Sequence, residues 1–114
     1  MSPEAFEAAA LALPATEKVV QWGGADVYKV GRRIFALRTP EGALSIKVSD
    51  IAYTVLVETG RARPAPYLAR AKWVAFEALE DLDPEEVRGW LAAAHALVAA
   101  RLTRRARAEL GLAV

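Results

Sequence analysis

The chain has no cysteine, one histidine and three serines. Without cysteine there is no disulfide framework, no thiolate nucleophile and no thiolate metal site. The lone imidazole, His95, cannot build a His-rich metal site, and no acid stands one helical turn away on either side. It reads as a surface or partly buried helix residue. None of Ser2, Ser45 and Ser49 occupies a nucleophile-elbow sequence, and Ser49 is better explained as a helix cap. Gly23, Gly24 and Gly31 spell no phosphate-binding fingerprint. The acids Glu80, Asp81, Asp83, Glu85 and Glu86 lack the spacing of a calcium loop. No run approaches the ~20 apolar residues of a membrane span, and the opening MSPEAF lacks a secretory pattern. The expectation is a cytoplasmic, non-enzymatic protein with no catalytic residue, no cofactor, no metal site and no membrane partner.

What is present suits one domain over residues 1–114, long enough to bury a single core. Hydrophobic residues make up 54%, but many are alanine, so large core side chains are scarcer than that figure suggests. Lys and Arg number 15 against 14 Asp and Glu, which argues against coating nucleic acid by overall field alone. The distribution is less even. Five acids fall within residues 80–86, and four arginines with no acid within 101–107. Both clusters are readable as complements to a helix dipole, acids first and cations last.

Ser2 and Pro3 open a helix through Phe6, Ala9, Ala10 and Leu13, stopped by Pro14. Short β-rich runs follow at 19–22, 27–30, 34–37 and 44–48, separated by Gly23-Gly24, Gly31-Arg32 and Pro40-Glu41-Gly42. Connections this short imply a four-stranded antiparallel meander. Ser49 caps a second helix ending at Gly60, and a fifth strand spans 73–78. Asp83-Pro84-Glu85-Glu86 opens a last helix with Val87, Leu91, Ala94, Val98 and Leu102 on one face. The fold class is α+β, a sheet packed against N-terminal, middle and C-terminal helices.

Alternation assigns faces. Leu44, Ile46 and Val48 oppose Ser45 and Lys47; Phe35 and Leu37 oppose Ile34, Ala36 and Arg38; Tyr28 and Val30 oppose Val27 and Lys29. With the bulkier sets under the helices, Lys29, Arg38 and Lys47 share the opposite face, and the turn adds Arg32 and Arg33. That face is either solvated or a functional basic surface. Trp22, Trp73 and Trp90 read first as core or core-edge residues. Trp73 follows Arg70 and Lys72, a pairing that suits base stacking with phosphate neutralisation or plain cation–π packing. Tyr67 and Trp73 are expected to anchor the proline-rich loop between the second helix and the fifth strand.

The hairpin VYKVGRRIFAL (27–37), the strand LSIKV (44–48), the loop PAPYLARAKW (64–73) and the closing LVAARLTRRAR (97–107) occur in one order. Together they resemble the MmcQ/YjbR family of small bacterial proteins. The resemblance implies a CyaY-like, secretion-chaperone-like α+β fold, and a double-wing arrangement whose sheet presents a saddle to DNA. The family usually carries K-L-P-K-K where Arg101-Leu102-Thr103-Arg104-Arg105 stands. The lost proline suggests that the last helix runs on. The nucleic-acid reading rests on Lys29, Arg32, Arg33, Arg38, Lys47, Arg70, Lys72 and Trp73, with DNA met through its phosphates. The alternative is a protein-interaction adaptor using the same sheet or the 64–68 loop.

Overall fold

The first three helix starts are set by side chains that accept from orphan amides. Ser2 Oγ accepts from Ala5 N at 3.1 Å to open α1 (Pro3–Leu11). Ser49 does the same for Ala52 N at 3.1 Å, opening α2 (Asp50–Glu58). Asp83 accepts from Glu86 N at 3.1 Å to open α3 (Pro84–Ala99). These contacts come from a computed structural model, which describes residues 1–66 and 68–112. The expected burial of Tyr67 lies outside the described residues.

The strands are β1 (Thr16–Gln21), β2 (Ala25–Val30), β3 (Arg33–Arg38), β4 (Leu44–Lys47), β5 (Arg63–Pro64) and β6 (Trp73–Phe76). They form one antiparallel sheet in the order β1-β2-β3-β4-β6-β5. The meander and the strand opening at Trp73 stand as the sequence implies, and β5 is an addition. Two residues leave no periodicity to read, and Pro64 fits only because β5 lies at the sheet edge, where a missing N–H costs no ladder bond.

The two sheet faces are both covered, unequally. On one face, α1 and α3 bury Phe6, Tyr28, Phe35, Leu44, Ile46, Val87 and Leu91. His95 joins them, with Nε2 2.7 Å from the Pro14 carbonyl and its ring edge-on to Phe35. On the other face, Ala65 and Leu68 of the proline loop fold back over Val27, Leu37, Trp73 and Ala75. The basic sheet face is therefore not an open saddle: the loop occupies part of it.

A β-bulge corrects the face assignment. Tyr28 pairs with Ala36 but Lys29 pairs with Ile34, so Phe35 is an extra residue in β3. Phe35 and Ala36 both enter the helix-side core, and Leu37 turns to the loop side. Arg38 then lies on the helix side beside Asp26, not with Lys29 and Lys47. The β4 register agrees with the alternation: Leu44, Ile46 and Val48 are buried and Lys47 is half-exposed.

Two further expectations are overturned. Trp22 is 63% exposed at the β1–β2 turn with φ +50°, outside both covered faces. The last helix does not run on either. After α3, Leu102 turns into the core, Thr103 Oγ1 accepts from Ala106 N at 3.0 Å, and a new helix, α4 (Arg104–Glu109), begins. Threonine stops the helix here by capping the next one, with no proline needed.

Trp73 is 6% exposed against the loop and the sheet. Trp73→Ala should lower unfolding free energy by about 3–5 kcal/mol in a urea titration. A near-neutral result would return this tryptophan from the scaffold to the binding surface.

Candidate nucleic-acid interface

The fold sorts charge by end. Leu79 N donates to Gly42 O at 2.9 Å, tying the acidic stretch Glu80–Glu86 to the β3–β4 turn. From there α3 runs 16 residues, roughly 24 Å, back across β3 and β4. At the far end Leu102 packs on Gly31, whose φ of +57° and missing Cβ allow the close approach. Arg101 is thereby delivered to the end that holds the β2–β3 turn and Lys47.

There Lys47, Arg70, Lys72 and Arg101 line a shallow recess of about 440 Å³ with Ala71 and a single carboxylate, Asp50. Lys47 is the last residue of β4, and its Nζ donates to the Ala71 carbonyl. Burial pushes the Lys47 ammonium below its ordinary pKa; Arg101 and Lys72 push the same way, and Asp50 opposes them. Lys72 ends the 3-10 turn Ala69–Ala71 in a left-handed conformation, φ +62°, with Nζ 4.8 Å from the Tyr53 ring centroid. Arg70 is exposed on that turn. Asp50 sits in the first turn of α2, next to its cap.

The sequence-selected residues divide three ways. Lys47, Arg70 and Lys72 come together, and Arg32 and Arg33 are exposed at the turn beside Leu102. Lys29 projects from the loop-side face across from Glu17 on β1. Arg38 and Trp73 belong to the scaffold. Arg38 Nη2 donates to Asp26 Oδ2 at 2.9 Å; Lys18 lies 3.8 Å from the same carboxylate and also pairs with Glu7. Trp73 is buried, which removes its ring from stacking.

Arg101 was missed, because RLTRRAR reads as dipole compensation at a helix end. The usable signal was topological: a helix opened by the acidic cluster and crossing the sheet must drop its trailing cations at the opposite end. Ion pairing sharpens the contrast. Arg61 meets Glu86 at 2.8 Å and Arg63 lies 3.8 Å from Glu77. Among the described residues, Arg32, Arg33, Lys47, Arg70, Lys72 and Arg101 form no ion pair. Among those residues there is also no group of three His, Asp or Glu placed to hold a metal, and no helix long and apolar enough to cross a membrane.

Comparison with known proteins fits this architecture. The YjbR family model matches residues 11–97, and the chain belongs to that family. The crystal structure of Deinococcus radiodurans protein DR2400, described as a DUF419 domain, superposes with a TM-score of 0.81. That similarity spans 94% of this chain and 86% of the other at 24% identity, and it bears on the fold. No curated protein matches the chain.

The placement of Arg38 has a measurable consequence. Arg38→Gln leaves Asp26 with only the more distant Lys18, 3.8 Å away, in a site where the Arg38 and Asp26 side chains are largely covered, 21% and 15% exposed. Stability should fall by about 1–3 kcal/mol by urea unfolding, with polyanion binding unchanged. Lost binding at unchanged stability would place Arg38 at the interface instead.

Proposed function

We propose that this chain is a non-enzymatic module that binds nucleic acid through phosphates, using the cationic end of the sheet and not the sheet face. The observation that carries the reading is the gathering of Lys47, Arg70, Lys72 and Arg101 around one carboxylate. These residues come from distant parts of the chain, and bringing like charges together opposes folding. Elsewhere Arg61, Arg63, Arg88 and Arg105 meet acids. An anionic partner would offset the repulsion at this end. The near-zero net charge is compatible with such a role, because five of the fourteen acids cluster at the other end of α3.

On this reading Arg32 and Arg33 form the tip of a wing beside the recess, and Lys29 is peripheral. Phosphate contacts of this type position a nucleic acid without reading its sequence. A cytoplasmic setting would give such a module access to DNA. A second reading, a protein-interaction adaptor, draws on an apolar groove between α2 and α3 of about 390 Å³, lined by Ala52, Trp90, Ala93 and Leu97. Ile51 and Val55 are exposed on α2 at 79% and 52%.

Salt dependence separates the two. Duplex and single-stranded DNA should bind at ~50 mM salt and weaken steeply by ~150 mM. Changing Arg32, Arg33 and Arg70 together to glutamine should leave the fold intact, since all are exposed. The slope of log affinity against log salt should then shrink by roughly one unit per lost contact, equally for unrelated sequences. No binding by the parent protein at ~50 mM salt would exclude nucleic acid and favour the adaptor.

A further inference from the structure

We infer that the recess formed by Lys47, Arg70, Lys72 and Arg101 seats the terminal phosphomonoester of a nucleic-acid strand, an inference that rests on the nucleic-acid reading above. A chain of backbone diesters is met best by cations spaced along a track, one charge per phosphate. Here the cations converge. Lys47 comes from the end of β4, Arg70 and Lys72 from the turn before β6, and Arg101 from the segment after α3, all on one recess. A terminal phosphomonoester carries about −1.5 to −2 charge and three strong acceptor oxygens. An internal diester carries a single charge and must leave the site on both sides. Concentrated positive charge therefore matches the strand end.

Donor supply points the same way. Lys47 gives one N–H to Ala71 O, and an ammonium has three, so two remain. Two guanidinium groups and the Lys72 ammonium add fork and point donors. The α2 N-terminus borders the recess through Asp50, and the first amides of a helix lack intrahelical partners. Lys72 holds its place through a left-handed backbone that residues with a Cβ avoid, the kind of local strain found at binding positions. The recess is open to solvent, so a phosphate seated in it could carry its sugar outward without a steric barrier.

The test uses single strands of about twelve nucleotides bearing a 5′-phosphate, a 3′-phosphate or only hydroxyl ends, at ~150 mM salt. One phosphorylated strand should bind at least about tenfold tighter than the hydroxyl-ended one, and which one gains identifies the end recognised. Arg101→Gln and Lys72→Gln should each weaken every strand, but weaken the phosphorylated strand several-fold more than the hydroxyl-ended one, so that most of the advantage is lost. Arg32→Gln combined with Arg33→Gln should weaken all three strands alike. Arg101 is exposed and outside any ion pair among the described residues, so its variant should unfold at the parent temperature. Competition by a nucleoside 5′-monophosphate, and none by the nucleoside, would support the seat further. Equal affinity for all three strands overturns the seat and leaves the proposed function standing. Binding of no strand even at ~50 mM salt overturns both.

Discussion

Between Tyr28 and Lys29 the β2–β3 ladder skips Phe35, and the surface chemistry of the molecule follows from that one extra residue. A bulge shifts side-chain parity along the rest of a strand. It lets Phe35 and Ala36 both face the helices, so Phe35 can meet His95, which in turn fixes the start of β1 through Pro14 O. It turns Leu37 outward, where Trp73 and Ala65 cover it. It also brings Arg38 to Asp26 on the helix side. An unbulged β3 would put Arg38 among Lys29 and Lys47 and leave Asp26 without its guanidinium. The sheet face would be more basic, and Leu37 would take the place of Ala36 in the helix-side core.

With the face depleted, basic character depends on the direction of α3. A helix carries partial positive charge at its start and negative charge at its end. Glu85 and Glu86 stand in its first turn, and a run of arginines follows it. Within that run the roles separate. Arg107 Nη1 donates to Ala100 O and Leu102 O, satisfying carbonyls at the helix end. Arg105 meets Glu109 within α4. Arg101 turns instead toward Lys47 and Lys72. Arg107 meets the helix-end carbonyls directly, whereas Arg101, one residue past the Ala100 cap, lines the recess.

Much of the fold was legible because local chemistry decides it. Ser2, Ser49 and Asp83 cap their helices as their side chains allow, and the turns at Gly31-Arg32 and Pro40-Gly42 set the meander. What escaped was non-local. A bulge leaves no mark in a run such as RIFALR, where every parity offers a hydrophobic set. Pro64 argues against a strand unless the edge position is known. Trp22 reads as core by composition, and only the turn geometry exposes it. The site was half legible. Lys47, Arg70 and Lys72 announce themselves by alternation and by clustering near Trp73. Arg101 needs the path of α3, and the removal of Arg38 needs the bulge.

The protonation of Lys47 ties the recess to the stability of the fold. Its folded pKa lies below its ordinary value of 10.5, so between the two the folded chain binds fewer protons than the unfolded one. Stability from this group therefore rises as pH climbs through that window, and the charged ammonium at neutral pH opposes folding. Burial contributes most, and Arg101 and Lys72 add to it. A well-packed surface would relieve such a contact with a second carboxylate, as Arg61 is relieved by Glu86. The recess has only Asp50, and that carboxylate sits at a helix start where the α2 dipole already attracts it. A bound phosphate would reverse the sign, raising the Lys47 pKa and turning the repulsion among its neighbours into shared attraction. Four cations around one carboxylate, in a chain where Arg38, Arg61, Arg63, Arg88 and Arg105 each meet an acid, support the recess as a place for an anion.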